Sequence, residues 1–354
     1  MGVSTEPGPA NDVTEGLAEA DRGGLARQWS SARNPAVGIV ALLVLAWLAE
    51  RNGSFLLQSA LVIGAAYALL AMGSNVIFGW SGLFPFGQAA IFGAGVYGAA
   101  FVRNFSLSPP VVLLIAGGIG LLLQLAFMAG FSRFSSMRFG ILTLVGSQVL
   151  FQFASTSNLL GAVNDGFFGI PRGSIFGISL EGNGPFWWYT VATVAVCLVG
   201  YFILQRSVFG LWLNAHRDDS ARLMTLRRSV VRLRCASALP AGFLCGVGGG
   251  LYAQFSGAAN SAELDFSISG IALFMCLLGG RDYVYGPLVG ALAYCVLTQD
   301  LLYGSSYPDV IIGIALMVLI VALPNGLFSI PQSVGRMLKG RRKRLLAGSG
   351  RAAS

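Results

Sequence analysis

From Ala36 to Leu323 the chain reads as a succession of long apolar runs separated by short polar or glycine- and proline-bearing stretches. A helix crossing a hydrocarbon layer needs roughly 20 apolar residues. Ten segments meet or approach that length: about 36–49, 55–78, 86–102, 111–131, 137–157, 186–204, 235–256, 267–280, 286–303 and 308–323. The predicted fold is an all-α, polytopic transmembrane helical bundle of about 10 membrane segments, with 8 to 10 as the range. Segments 36–49 and 267–280 are short, and 86–102 is rich in glycine and alanine, so these three are candidates for re-entrant or half-helical pieces.

The few charges orient the bundle. If all ten segments cross and the N-terminus is cytoplasmic, 20 of the 23 basic residues fall on the inside and 3 (Arg51, Arg103 and Arg172) on the outside. If both 86–102 and 267–280 fail to cross, the division becomes 13 against 10. Cytoplasmic loops carry the excess of Lys and Arg, so ten crossings with both ends in the cytoplasm are favoured. Ten divides into five plus five, and an odd number per half gives the halves opposite orientation, an inverted repeat in which the third and eighth segments correspond. Residues 1–34 read as a flexible cytoplasmic tail rather than a signal peptide, 35–328 as the membrane domain with a cytoplasmic loop at about 205–234, and 329–354 as a basic cytoplasmic tail.

Composition agrees and excludes. Of the 354 residues, 55% are hydrophobic and 11% charged, against about 25% charged in soluble domains. The net charge of +8 comes from one loop and the C-terminal tail, so it is no nucleic-acid footprint. A single histidine, His216, rules out a multi-histidine metal site. Five cysteines lie in or beside apolar runs without a CxxC pair and read as buried small hydrophobes. There is no GxxxxGK[ST] loop to bind ATP, no catalytic constellation, and no Asp, Glu, Lys or Arg central to a span, as ion-coupled carriers usually need.

Four stretches stand out. The loop from Gln205 to Arg234 carries seven arginines and can form a short helix with apolar surface, with Asp218 and Asp219 near its start, where carboxylates suit the helix dipole. It reads either as a topology-setting basic loop that binds anionic membrane lipid or as a docking element for a cytoplasmic partner. Gly79 to Ala100 combines close-packing glycines, among them Gly87, Gly93 and Gly95, with the helix-breaking Pro85 and the polar Ser81 and Gln88. It reads as tight packing and as a broken helix beside a transport path. Gly279 to Ala291 repeats the pattern with Gly279, Gly280, Gly286, Pro287 and Gly290, and Arg281 beside Asp282 reads as an interfacial ion pair. Asn164 to Pro171 lies in the longest outer loop, where acidic residues suit either a soluble partner or plain solvent.

In this order the four stretches resemble the membrane subunits of bacterial branched-chain amino-acid ABC importers, a permease family that also serves urea, amides and related solutes. The family run G-x-x-S-L-G-Q-A-A-F-F-G-I-G-A-Y is similar to Gly82 to Tyr97, through Gly87, Gln88, Ala89, Ala90, Phe92, Gly93, Gly95 and Tyr97, with Pro85 and Phe86 in place of serine and leucine. Asp165-Gly166, Gly169 and Ile170-Pro171 resemble the outer-loop element, and Pro324, Gly326 and Leu327 the closing P-x-G-L. Phe209-Gly210 through Ala215, Arg217 and Ala221 look like the short coupling segment, with Arg217-Asp218-Asp219-Ser220 where R-E-N-E is usual. Gly279-Gly280, Gly286-Pro287 and Gly290-Ala291 match the G-G-x-G-x-x-x-G-P-x-x-G-A signature, but Asp282 stands where a small residue is usual.

The resemblance covers about residues 36 to 328 and implies a translocation subunit without an engine of its own. It implies a second permease subunit, identical or different, an extracytoplasmic solute-binding protein, and two ATPase subunits docked at about 210–226. ATP and magnesium would be bound by those partners, with no cofactor in this chain, at the bacterial cytoplasmic membrane. The other reading the residues leave open is a stand-alone secondary transporter or channel for a small solute.

Overall fold

The computed structural model describes residues 51, 55–105, 107–157, 166–175, 177–218, 229–302 and 313. The expected segments 36–49 and 308–323 and both tails lie outside them, Gly313 excepted. Among the described residues, nine helices of eight residues or more follow in order: α1 Phe55–Asn75, α2 Gln88–Phe101, α3 Pro109–Phe131, α4 Ser136–Thr156, α5 Asn183–Arg206, α6 Val208–Asp218, α7 Val230–Ser256, α8 Phe266–Gly279 and α9 Gly286–Leu302. A π-helical turn at Val76–Trp80 extends α1. Five helical stretches among the described residues are long and apolar enough to cross a membrane: Gln58–Trp80, Pro109–Phe131, Ser136–Thr156, Asn183–Arg206 and Val230–Ser256.

Local chemistry sets the ends. Pro109 and Pro110 open α3, where a missing N–H costs nothing. Ser229 caps α7 by accepting from the Arg232 amide, and Gly257 closes it in the left-handed conformation (φ 69°) that glycine adopts without strain. The Asp265 carboxylate caps α8 through the Ser267 amide at 2.8 Å. On α4, Met137, Ile141, Val145 and Val149 recur every fourth residue and are all exposed, an apolar stripe suited to lipid.

The connections gather at two ends. At one, Arg234 donates to the carbonyls of Ser132 and Phe134 (2.7 and 2.9 Å), and the Ser136 hydroxyl to the Gly82 carbonyl at 2.8 Å. At the other, β1 (Phe167–Phe168) pairs antiparallel with β4 (Ala258–Ala259), and β2 (Ser174–Ile175) forms a hairpin with β3 (Ile178–Ser179). Arg172 donates to the Phe255 carbonyl and Gln254 to that of Pro109 at this end, both at 3.2 Å. The loops expected inside thus meet one another, as do those expected outside.

Helices α2 and α8 have 14 residues each, about 21 Å at 1.5 Å per residue, short of the roughly 30 Å hydrocarbon layer. Each is preceded by irregular chain that enters the bundle. Gly87 lies against Thr143 of α4, about 10 Å along that helix. From the opposite end, the 3-10 turn Ser261–Leu264 brings the Leu264 carbonyl to the Ser147 hydroxyl (3.4 Å), about 16 Å along α4. Irregular backbone is tolerated at such depth where protein surrounds it. The N-terminal turns of α2 and α8 meet there, with the Ala89 amide donating to Ser269 Oγ at 2.8 Å. The shortness of these two segments is therefore the signature of a half-helix with an irregular lead-in.

The core packs as a web centred on α1 and α7. Helix α7 packs on α1, α2 and α3, and α1 on α7, α8 and α9; α2 also packs on α3 and α8 on α9.

Candidate functional site

Where α1 ends, the chain breaks. The π turn widens the last helical turn, Gly82 takes φ 68°, and Pro85 prevents helix from resuming before Gln88. Ser81 is buried in this break, and its hydroxyl has no partner among the described residues. Gln88 begins α2 with its amide donating to Gln124 Oε1 of α3 at 3.0 Å, while its own Oε1 accepts from the Cys245 thiol of α7 at 3.1 Å. The break is thus held by a buried polar chain across three helices. In the apolar runs only the glutamines and the cysteine could have signalled it.

The glycines here are close-approach positions. A side chain on Gly93 would meet Leu264 and the Glu263 carbonyl; one on Gly95 would overlap the Gly246 backbone; one on Gly87, the Thr143 carbonyl. Tyr97 is buried, its ring 6.2 Å from that of Phe167. In the second glycine stretch a side chain on Gly279 would overlap the Gly286 carbonyl, and one on Gly290 that of Met275. Gly280 takes φ 95°, and Pro287 is buried in the first turn of α9.

The described first part of the Gln205–Arg234 loop forms a short helix, α6. Asp218 is the last described residue of α6, and the expectation that Asp218 and Asp219 open a helix falls on residues outside the described ones. The Ser207 hydroxyl lies 3.5 Å from the Gly210 amide and starts the helix directly after α5. His216 and Arg217 then occupy its last turn, where positive charge suits the dipole. Gly210 is buried against the Gln205 carbonyl. Val208, Leu211 and Ala215 are exposed at i, i+3 and i+7, an apolar stripe on one face of α6. Asp219 and Ala221 lie outside the described residues.

The other face of α6 is anchored twice. His216 is 4% exposed and its Nε2 accepts from Arg234 Nε at 3.1 Å. Burial, with Arg234 beside it, holds the His216 pKa below the usual imidazole value, so the ring is neutral and acts as an acceptor. Arg217 donates to the Gly79 carbonyl in the π turn and pairs with Asp282 Oδ1 at 2.8 Å. Asp282 thus pairs across the structure; Arg281, its neighbour, is 3.9 Å away. Asn75 at the end of α1 donates to the Arg281 carbonyl (3.2 Å) and to the Tyr201 hydroxyl (2.8 Å). Sequence reasoning paired Arg281 with Asp282, as they stand at 3.9 Å, and marked Arg217 separately, but missed Asn75, His216 and Arg234 as partners.

In the lead-in to α8, Glu263 caps its own turn, its Oε2 accepting from the Asn260 amide at 3.1 Å. Among the described residues no group of three or more His, Cys, Asp or Glu is placed to hold a metal ion.

Long lipid-suited helices, two half-helices meeting at depth, and an anchored amphipathic helix at one end define a polytopic membrane protein of permease type. The chain belongs to the family described as branched-chain amino acid transport system permease components, whose pattern matches residues 56–323. It is 24% identical over 337 residues to the high-affinity branched-chain amino acid transport system permease protein LivM of Escherichia coli, covering 86% of this chain and 77% of that one. It is 25% identical over 256 residues to the probable branched-chain amino acid transport permease protein LivH of Methanocaldococcus jannaschii, covering 69% and 79% respectively. No solved structure matches the chain significantly.

Proposed function

We propose that the chain is the translocation subunit of an ATP-driven importer in the bacterial cytoplasmic membrane. It moves a branched-chain amino acid or a related small polar solute inward. A second permease subunit completes the path, an extracytoplasmic binding protein delivers the solute, and two ATPase subunits bind magnesium and ATP. The observation that carries this reading is α6: one face exposes the apolar stripe Val208, Leu211 and Ala215, while His216 and Arg217 fasten it to the bundle. A helix that only set topology would need neither feature. Gly210, Ala215, Arg217, Asp218, Asp219 and Ala221 are proposed to form the ATPase-coupling segment.

The path is proposed to run beside the broken helix, past Ser81, Gly87, Gln88, Gly93, Gly95 and Tyr97, with Gly279, Gly280, Gly286, Pro287 and Gly290 packing its counterpart. A five-plus-five inverted repeat with both ends inside accounts for the packing. Exchanging the second segment with the seventh, the third with the eighth and the fourth with the ninth turns the α7–α3 contact into α1–α9, and α2–α3 into α8–α9. It also turns one half-helix, entering from one end, into the other, entering from the opposite end.

The test is ATP-dependent uptake of labelled leucine, isoleucine and valine into proteoliposomes holding the purified complex. Uptake that needs ATP and co-purified ATPase subunits is expected. Uptake by the chain alone on a solute gradient would establish the stand-alone transporter instead.

A further inference from the structure

We propose that the Arg217–Asp282 pair is the contact through which movement of the docking helix reaches the two broken elements of the pore at once. The inference rests on the importer reading, and deepens it by naming positioning residues that face inward rather than towards the ATPase.

Three independent pieces of chain meet at this pair. Arg217 comes from α6, its side chain 19% exposed. Gly79 and Gly82 come from the break after α1: the Gly79 carbonyl accepts from Arg217, and Gly82, at φ 68°, lies so close to the Arg217 stem that a side chain there would strike it. Asp282 comes from the turn between α8 and α9. That turn is itself tied to α1, because Asn75 donates to the Arg281 carbonyl. A guanidinium offers several donors in one plane, so one side chain can hold a carbonyl of the first break and a carboxylate of the second turn together.

The consequence is mechanical. The turn at Gly280–Gly286 joins half-helix α8 to α9, and the break at Gly79–Gln88 leads into half-helix α2. The N-terminal turns of both half-helices meet at Ala89 and Ser269. A displacement of α6 pulls on the lead-in to α2 and on the turn after α8 together, and the two half-helices move as a pair. His216 fastens α6 to α7 and α3 through Arg234 and supplies the pivot, with Arg217 one residue further on as the lever.

The test uses the complete transporter, purified through a tag on this chain and reconstituted with ATP inside and a mixture of labelled leucine, isoleucine and valine outside. Asp282→Ala is expected to keep its ATPase subunits but to hydrolyse roughly fivefold or more ATP per solute moved, the lower range of a coupling energy. Asp282→Glu, which keeps the carboxylate, restores the ratio. Adding Arg217→Ala to Asp282→Ala makes it no worse than the poorer single change, because one contact is removed once. Where the alanine variant is not recovered, Asp282→Asn keeps the shape without the charge and gives an intermediate ratio. An unchanged ratio in Asp282→Ala or Asp282→Asn overturns the proposal, and so does loss of the ATPase subunits, which would make Asp282 a docking residue. If the unaltered complex holds no ATPase and shows no ATP-dependent uptake, the importer reading falls and takes this one with it.

Discussion

Gly95 on α2 and Gly246 on α7 touch backbone to backbone, with no room for a side chain between them. Gly246 is equally closed on its other side, where Ala116 and Gly117 of α3 press against it. Three helices therefore converge on one residue. In a bilayer, where apolar burial does not favour one helix neighbour over lipid, such approach supplies the packing that holds helices together.

Gly95→Leu is expected to drive α2 off α7 and to lower the melting temperature of the detergent-purified protein, at a cost of about 1–3 kcal/mol or more. Gly200→Ala is the control. Nothing lies within 4 Å of a side chain at Gly200, so fluorescence-monitored melting should show no loss.

Ala215→Asp places a charge in the apolar stripe of α6. Its expected outcome is normal membrane insertion with loss of co-purifying ATPase and of ATP-dependent uptake. Retention of both would remove α6 as the docking element.

Gln88→Leu removes one member of the buried chain and leaves the Gln124 amide without its partner. An interhelical hydrogen bond within a membrane is worth about 0.6 kcal/mol on average, and a stranded buried amide costs roughly 1–3 kcal/mol. The double change Gln88→Leu with Gln124→Leu is expected to melt closer to the unaltered protein than Gln88→Leu does. Additive losses would show that the two side chains act separately.

These contacts differ in how far the sequence announced them. The bounds of the long helices were legible, because a run such as 111–131 is apolar but for glycines and Gln124 and is opened by Pro109 and Pro110. The short third and eighth segments were legible as irregular, since Pro85 and the glycines forbid a plain helix. Their lead-ins were not, because a chain entering the bundle from Gly257 to Asp265 looks like a polar loop until Asn260 and Glu263 are seen capping each other. The loop after α5 was legible as helix-forming, but the start of α6 was not: Ser207 opens it directly after α5. Pairs such as Arg217 with Asp282 or His216 with Arg234 join residues far apart in the chain, and no local pattern encodes such partners.

His216 is the only imidazole in the chain, and it is closed off between α6 and Arg234. An acylating reagent selective for imidazole, and monitored by ultraviolet absorbance, therefore has one imidazole to find and can reach it only when α6 lifts from the bundle. The isolated chain carries an internal clock for that opening, readable without introducing any label.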